Sequence, residues 1–222
     1  MLPFKRKELD RVLRPKSYTP ETLVDLFESI FSKEYASDVG VWEGYSLKEH
    51  TLMVLGQFEK YFFTKRLPAG VDRNFFRVVL ALHDIGKPRA VSKGNTKRQH
   101  EYTKPIIKSV LKDLNYKDED INTALALVST DSIGEFIKHG TLDESTKGIS
   151  EGARLAKMRV GEFFGLLTIF FKVDAGSYTE NAGGLKSLDH LFVFNPEKGT
   201  IDFSPEVERK VKKLREEVNL KT

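Results

Sequence analysis

The chain has no cysteine among its 222 residues, and this absence excludes disulfide bonds and metal sites built from thiolates. It also has no long hydrophobic run. The most apolar stretch, FFGLLTIFFKV at 163–173, has 11 residues, whereas a helix that spans a membrane needs about 20. The N-terminal stretch MLPFKRKELDRVLRPK lacks the apolar core of a signal peptide. We therefore expect a cytoplasmic protein without a membrane partner, in which 163–173 forms a buried helix.

Charged residues of both signs are abundant. The 36 lysines and arginines exceed the 32 acidic residues, the net charge is +4 and the pI is near 9.0. Basic residues cluster in FKRKELDRVLRPK, in KGNTKRQHEYTK and in ERKVKKLRE. Such clusters are either solvated faces that alternate with acidic residues, or a surface that attracts phosphate groups. The composition leaves both interpretations open.

The spacing of apolar residues predicts a fold made mostly of helices. TPETLVDLFESIFSKEY begins with Thr19 as the N-cap and Pro20 at the first helical position. SLKEHTLMVLGQFEKYFFTK begins with Ser46, and Glu49 completes a capping box. Further helices are predicted in DRNFFRVVLALHD, in EYTKPIIKSVLKDL, in DEDINTALALVST and, as one continuous element over 149–175, in ISEGARLAKMRVGEFFGLLTIFFKVDA.

One segment departs from the helical pattern. LFVFNPEKGTIDF, at 191–203, has two apolar runs around the five-residue loop Asn-Pro-Glu-Lys-Gly, which is typical of a β-hairpin. GEFIKHGTLDEST, at 134–146, is predicted as a connector with at most one short turn, and EVERKVKKLREEV as a final charged helix. The sequence thus predicts an all-α fold with a small β-hairpin near the C-terminus.

The stretch ALHDIGKP, at 81–88, places an imidazole and a carboxylate side by side where a helix ends. Neighbouring side chains on an α-helix point about 100° apart, but at a helix end His83 and Asp84 can converge on one ion. Gly86 and Pro88 predict that end. Imidazole nitrogen and carboxylate oxygen together suit a divalent ion that is borderline or hard. Since two ligands hold a metal ion poorly, further ligands are expected.

Three residues elsewhere are candidates for these further ligands. His50 lies in an amphipathic stretch, 33 residues before His83. Asp174 follows the apolar run, where an unpaired carboxylate would be costly to bury and a metal ion would satisfy it. His100 lies 16 residues after Asp84.

In order along the chain, these residues read H…HD…D. This pattern resembles that of the HD-domain superfamily of metal-dependent phosphohydrolases, in which the form HDIGKP is common. His100 and Glu101 match a His-Glu pair that is also common in that superfamily. The resemblance implies one HD-type domain over 1–222, a helical bundle with its metal site at the centre. The core would cover about 46–178, with an N-terminal helical extension at 1–45 and a C-terminal hairpin and helix at 189–222.

The resemblance also implies how the ligands are used. The ion would be divalent (Mn, Mg, Co, Ni, Zn or Fe), and Asp84 would bridge to a second ion if one is present. His100 would then be a ligand of that second ion. Asp131 stands where members with two metals have a further histidine, and it would act as a base or as a weaker ligand. The first ligand set would be His50, His83, Asp84 and Asp174.

A divalent ion lowers the pKa of a water molecule and neutralises charge on phosphoryl oxygens. Lys87, just after the ligands, would hold a substrate phosphate as a point charge. We therefore expect a metal-dependent phosphohydrolase that acts on a nucleotide or another phosphate ester, with Asp84, Lys87 and Asp131 as catalytic residues. Two alternatives stay open. One is a non-catalytic module that binds a metal or nucleotide and docks nucleic acid on its basic surface. The other is a di-iron oxygenase of the same superfamily, which needs the second ion.

Overall fold

The structure is a computed structural model that describes residues 2–38, 44–129, 131–181 and 190–220. Of the described residues, 71% are helical, and the strands among them form one antiparallel pair. The predicted all-α fold with a small β-hairpin near the C-terminus is therefore confirmed. The predicted extension at 1–45 and the predicted C-terminal unit at 189–222 both include residues that lie outside the description.

Helices follow one another along most of the chain, and the two strands come just before the last helix. Two short 3-10 helices also occur among the described residues, at Pro68–Gly70 and at Thr96–Arg98. The bounds are Arg6–Val12 (α1), Pro20–Tyr35 (α2), Leu47–Phe62 (α3), Arg73–Leu82 (α4), Lys87–Ser92 (α5), Gln99–Asp113 (α6), Asp118–Leu127 (α7), Ser132–Lys138 (α8), Leu142–Ala156 (α9), Val160–Asn181 (α10), Phe192–Asn195 (β1), Thr200–Phe203 (β2) and Pro205–Leu220 (α11).

Side-chain caps set where the predicted helices begin. Thr19 caps α2, and its hydroxyl accepts a hydrogen bond from the backbone N–H of Thr22 at 3.2 Å. Ser46 caps α3, and the carboxylate of Glu49 accepts from the backbone N–H of Ser46 at 2.8 Å. Each cap satisfies a backbone donor that the first turn of a helix leaves unpaired. Both predicted helix starts are confirmed.

The apolar run at 163–173 lies inside α10, in the core of the protein. α10 packs against α3 and α9, and α3 packs in turn against α2 and α4. Phe163, Leu166 and Val173 have no exposed surface. Because α10 has neighbours on several sides, it is apolar almost all round, as the sequence predicted for a buried helix. Within the described ranges, no helix is long and apolar enough to cross a membrane.

The region 134–146 is not the connector that the sequence predicted. It contains most of α8 and the beginning of α9, and only residues 139–141 separate the two helices. Asp131 caps α8, while Thr141 and Glu144 form a capping box at the start of α9. The capping box was present in the sequence as a helix-start pattern. The helix α8 was missed for another reason. It has only 7 residues, which are too few for apolar spacing to mark a helix.

The segment 149–175 contains two helices, where the sequence predicted one. α9 ends at Ala156, and Lys157 adopts the left-handed conformation with a φ of 53°. This conformation commonly ends helices, but the residue that usually adopts it is glycine. A lysine therefore carries no sequence signal of the break, and α10 begins only at Val160.

The hairpin lies where it was predicted, with a shorter connection. The strands are antiparallel, and Phe192 pairs with Phe203 while Asn195 pairs with Thr200. Asn195 therefore belongs to β1, and four residues connect the strands instead of the predicted five. The side-chain oxygen of Asn195 accepts a hydrogen bond from the backbone N–H of Lys198 at 3.0 Å, which closes the turn.

Gly86 lies at a close contact between the start of α5 and α6. Its backbone N–H donates to the hydroxyl of Thr103 at 3.1 Å, and a Cβ on Gly86 would collide with the backbone of Tyr102 and Thr103. Gly56, inside α3, differs, because a Cβ there would meet no atom within 4 Å. The two glycines therefore separate the effect of crowding from the effect of helix propensity.

We predict opposite effects on stability for Gly86→Ala and Gly56→Ala. Gly86→Ala should lower the free energy of unfolding by about 1–3 kcal/mol, because the overpacked methyl group forces the backbone of α6 away. Gly56→Ala should raise it by about 0.5–1 kcal/mol, because alanine loses less backbone entropy in a helix. Urea unfolding at one fixed metal concentration measures both variants. Equal stability of the two would contradict the close contact at Gly86.

Candidate metal centre

Four of the predicted ligands come from three helices that meet in the core. His50 lies near the start of α3, and Asp174 lies on α10, which packs along α3. His83 directly follows the last residue of α4, so the helix ends where the sequence predicted. His50, His83 and Asp84 are buried, whereas 35% of the Asp174 side chain is exposed. The cluster therefore has a buried side and an open side.

The two imidazoles and Asp174 converge on one point. The Nε2 atoms of His50 and His83 are 3.2 Å apart. Oδ1 of Asp174 lies 3.1 Å from Nε2 of His50 and 3.5 Å from Nε2 of His83. Ligand atoms that each lie about 2.1 Å from a metal ion are separated by roughly 3.0–3.4 Å in octahedral or tetrahedral geometry. The observed separations fit three ligands of a single ion.

Asp84 borders this group and is held through both of its oxygens. Its Oδ2 lies 3.6 Å from Nε2 of His50 and 3.8 Å from Nε2 of His83. Lys87 donates to the same oxygen at 3.0 Å, and Gln99 donates to Oδ1 at 3.1 Å. Gln99 was not predicted, and nothing in the sequence marks it except its place before a candidate histidine. The predicted contact of Lys87 with a substrate phosphate stays a prediction.

A backbone carbonyl orients the ring of His83. Its Nδ1 lies 2.6 Å from the carbonyl oxygen of Leu80, so Nδ1–H donates a hydrogen bond to that oxygen. Nε2 then faces the cluster, where it holds a proton or gives its lone pair to a cation. Metal-ligating histidines commonly use their second nitrogen in this way, which fixes both the tautomer and the ring.

The ring of His50 is held differently. Its Nδ1 is buried and has no hydrogen-bond partner in the described part of the chain. Its ring instead stacks on that of Tyr178, with centroids 4.4 Å apart and planes inclined by 13°. Tyr178 lies one helical turn after Asp174 on α10. The same helix therefore supplies one ligand, Asp174, and the ring that supports another ligand, His50.

The charges around the cluster favour a cation. Burial lowers the pKa of His50. Burial lowers the pKa of His83 as well, but Asp84 and Asp174 outweigh it and raise this pKa to about 9. Burial raises the pKa of Asp174, yet its hydrogen bonds with the two imidazoles hold the value well below its usual range. Ligands arranged around a shared positive charge suit a divalent ion.

An open cavity of about 610 Å³ lies beside the cluster, and His83, Asp84 and Asp174 form part of its wall. His100 and Asp131 line the same cavity, as their predicted roles require. Neither belongs to the one set of three ligand atoms within 4.8 Å of one another in the described residues. Their roles at a second ion or as a base therefore stay predictions. Asp131 also caps α8 by accepting from a backbone N–H at 3.1 Å.

No protein-family model, curated protein or solved structure matches this chain significantly. The likeness to the HD-domain superfamily therefore rests on the ordered ligand residues alone. The placement of those residues in space is the independent support for a metal site, because the sequence order does not by itself bring them together.

We predict that metal affinity depends on the aromatic ring of Tyr178 and not on its hydroxyl. Tyr178→Leu should weaken metal binding about 10-fold, the lower end of what a lost supporting contact costs. Tyr178→Phe should bind as wild type does, because it keeps the surface on which His50 stacks. Competition with a chromophoric chelator for Co²⁺ measures both affinities. Urea unfolding in excess chelator shows whether both variants fold, and equal affinities in two folded variants would contradict the stacking role.

Proposed function

We propose that this protein is a metal-dependent phosphohydrolase of the HD-domain type. The observation that carries the proposal is the convergence of His50, His83 and Asp174 at the wall of an open cavity. Two imidazole nitrogens with carboxylate oxygens suit Mn, Fe, Co, Ni or Zn better than Mg, which prefers ligands that are all oxygen. The substrate class at this level is a phosphate ester.

The open side of the cluster favours a catalytic site over a structural one. Structural zinc sites are closed and take four protein ligands, whereas catalytic sites leave a position for water or substrate. Here the exposed face of Asp174 borders the cavity. A divalent ion in this position would polarise a phosphoryl oxygen and acidify a water molecule. A module in which the ion only stabilises the fold would have no need for this opening.

Several residues of this chain would hold the ligand side chains in fixed orientations. Leu80 orients His83 through its carbonyl, and Gln99 and Lys87 fix the carboxylate of Asp84. Fixed ligands hold the ion in one geometry, so little reorganisation is needed when charge develops on the substrate. Lys87 would also offset part of the negative charge that a phosphate brings.

Asp131 is the candidate for proton transfer. It lines the cavity that the ligands border. The surrounding protein raises the pKa of its carboxyl, Lys138 opposes this shift, and Asp174 adds to it. A carboxyl with a raised pKa holds or releases a proton closer to neutral pH than an ordinary aspartate does, which is the property of a general acid or base.

Asp84→Asn tests the proposal, because it keeps the shape of the side chain and removes the charge. Metal affinity and turnover of the best phosphate ester should fall together by about 100-fold, the upper end of what loss of a supporting contact costs. The substrate is found by screening phosphate esters with protein that has been stripped and reloaded with each metal. Elemental analysis counts the bound ions, and an absorption spectrum of the iron form distinguishes a di-iron centre.

Asp118→Asn is the matched control, since Asp118 is exposed at the start of α7 and does not line the cavity. It should leave both metal content and turnover unchanged. A folded Asp84→Asn protein that lacks metal and still hydrolyses the ester at the wild-type rate would refute the proposal. A wild-type protein that binds metal but hydrolyses none of the esters would favour the non-catalytic module.

A further inference from the structure

The cavity wall carries three carboxylates besides those of the candidate ligands. They belong to Asp131, Glu135 and Glu144. In the part of the chain that the structure describes, no lysine or arginine belongs to this wall. The cavity therefore contrasts with the whole protein, whose net charge is +4. Lysines and arginines from the basic clusters of the sequence therefore do not line the described part of the candidate substrate site.

Two cations close to the cavity already have acidic neighbours, and Lys138, whose charge acts on Asp131, does not line the wall. The ammonium of Lys87 lies 3.0 Å from Oδ2 of Asp84, and the guanidinium of Arg98 lies 2.6 Å from Oε1 of Glu101. A substrate with several phosphates would have to bring its extra charges close to carboxylates, without a free cation in the described wall to offset them. Like charges at short distance repel, and because the wall carboxylates are exposed to water this repulsion is weaker than it would be in a closed site. A single phosphate at the ligand cluster avoids this cost.

Part of the remaining wall is apolar and aromatic. Phe170 and Phe171, each 9% exposed, line the cavity on the side of α10, and Leu127, Ile133 and Leu167 line it as well. Carboxylates attract a positive charge, and aromatic faces attract an organic cation by the cation–π interaction. Hydrocarbon groups around the charge gain from the apolar wall at the same time. This combination of side chains suits an organic ammonium group.

We propose that the cavity selects phosphate monoesters whose organic part carries an ammonium group. The phosphate lies toward the His50–His83–Asp174 cluster, and the ammonium group lies among the wall carboxylates and the two phenylalanines. The phosphate half of this inference rests on the proposed function, whereas the ammonium half rests only on the wall. In the reaction, the bond between phosphorus and the ester oxygen breaks. The hydroxyl of water goes to phosphorus and its proton goes to the leaving alcohol.

Glu135 is the specificity residue on which the test depends. The carboxylates of Asp131 and Glu144 already accept hydrogen bonds at the starts of α8 and α9. Within the described residues, the carboxylate of Glu135 makes no such bond. It is free to face a ligand, and its replacement leaves both helix caps in place. Glu151 on α9 is an exposed glutamate outside the cavity wall and serves as the matched control.

Phosphocholine and its neutral isostere, in which a tert-butyl group replaces the trimethylammonium group, measure the preference. We expect kcat/KM of the metal-loaded protein to be about 10-fold higher for phosphocholine, an effect within the range of a desolvated cation–π contact. Glu135→Gln should reduce this ratio by raising KM for phosphocholine, and Glu135→Lys should reverse it. Glu151→Gln should keep the wild-type ratio. ATP should be a poor substrate for the wild-type protein.

Binding of choline alone separates this inference from the proposed function. Calorimetry on the metal-loaded protein compares choline with its tert-butyl isostere, and no hydrolysis is needed. Preferential binding of choline without hydrolysis of any ester would support the ammonium site and refute the hydrolase. Hydrolysis of esters with no preference for the ammonium group, in kinetics and in binding, would overturn the inference and leave the hydrolase standing. Failure of both measurements would overturn both.

Discussion

Two imidazole nitrogens that face each other at 3.2 Å in a protein interior require a positive charge between them or a proton on one of them. The arrangement of three helices follows from this constraint. α3 supplies one ring, the end of α4 supplies the other, and α10 brings the carboxylate that faces both. Burial alone would favour neutral, uncharged side chains at this place. Retaining two histidines and two carboxylates costs stability unless a cation is bound, which is why the cluster indicates function.

Much of the fold was predictable because its signals are local. The N-caps at Thr19 and Ser46, and the glycine and proline after Asp84, depend on residues a few positions apart. Helix starts and ends follow directly from such short patterns. The break at Lys157 was not predictable, since lysine is not a residue type that prefers the left-handed backbone conformation it adopts there.

The candidate site was predictable in its ligands and only partly in the residues that support them. His50, His83 and Asp174 are residue types with few uses in a core, so their order along the chain already suggested a cluster. Gln99 is a common residue type, and its contact with Asp84 exists only after the helices pack. The position of Tyr178, four residues after Asp174, already favoured a role in orienting a ligand, but its partner His50 comes from another helix. The acidic wall is likewise a property of the folded chain. Its residues come from separate elements, and the basic composition of the sequence pointed in the opposite direction.

The carbonyl of Leu80, which accepts the hydrogen bond from Nδ1–H of His83, belongs to the last turn of α4. Backbone dipoles in a helix add up to a partial negative charge at the C-terminal end, where carbonyls lack part of their intrahelical partners. The ligand cluster therefore lies in a field that attracts cations before any side-chain charge is counted. Formation of this last helical turn and binding of a cation are then thermodynamically coupled. A cation bound here would hold α4 wound to its end, and a change that frays this turn would release the cation.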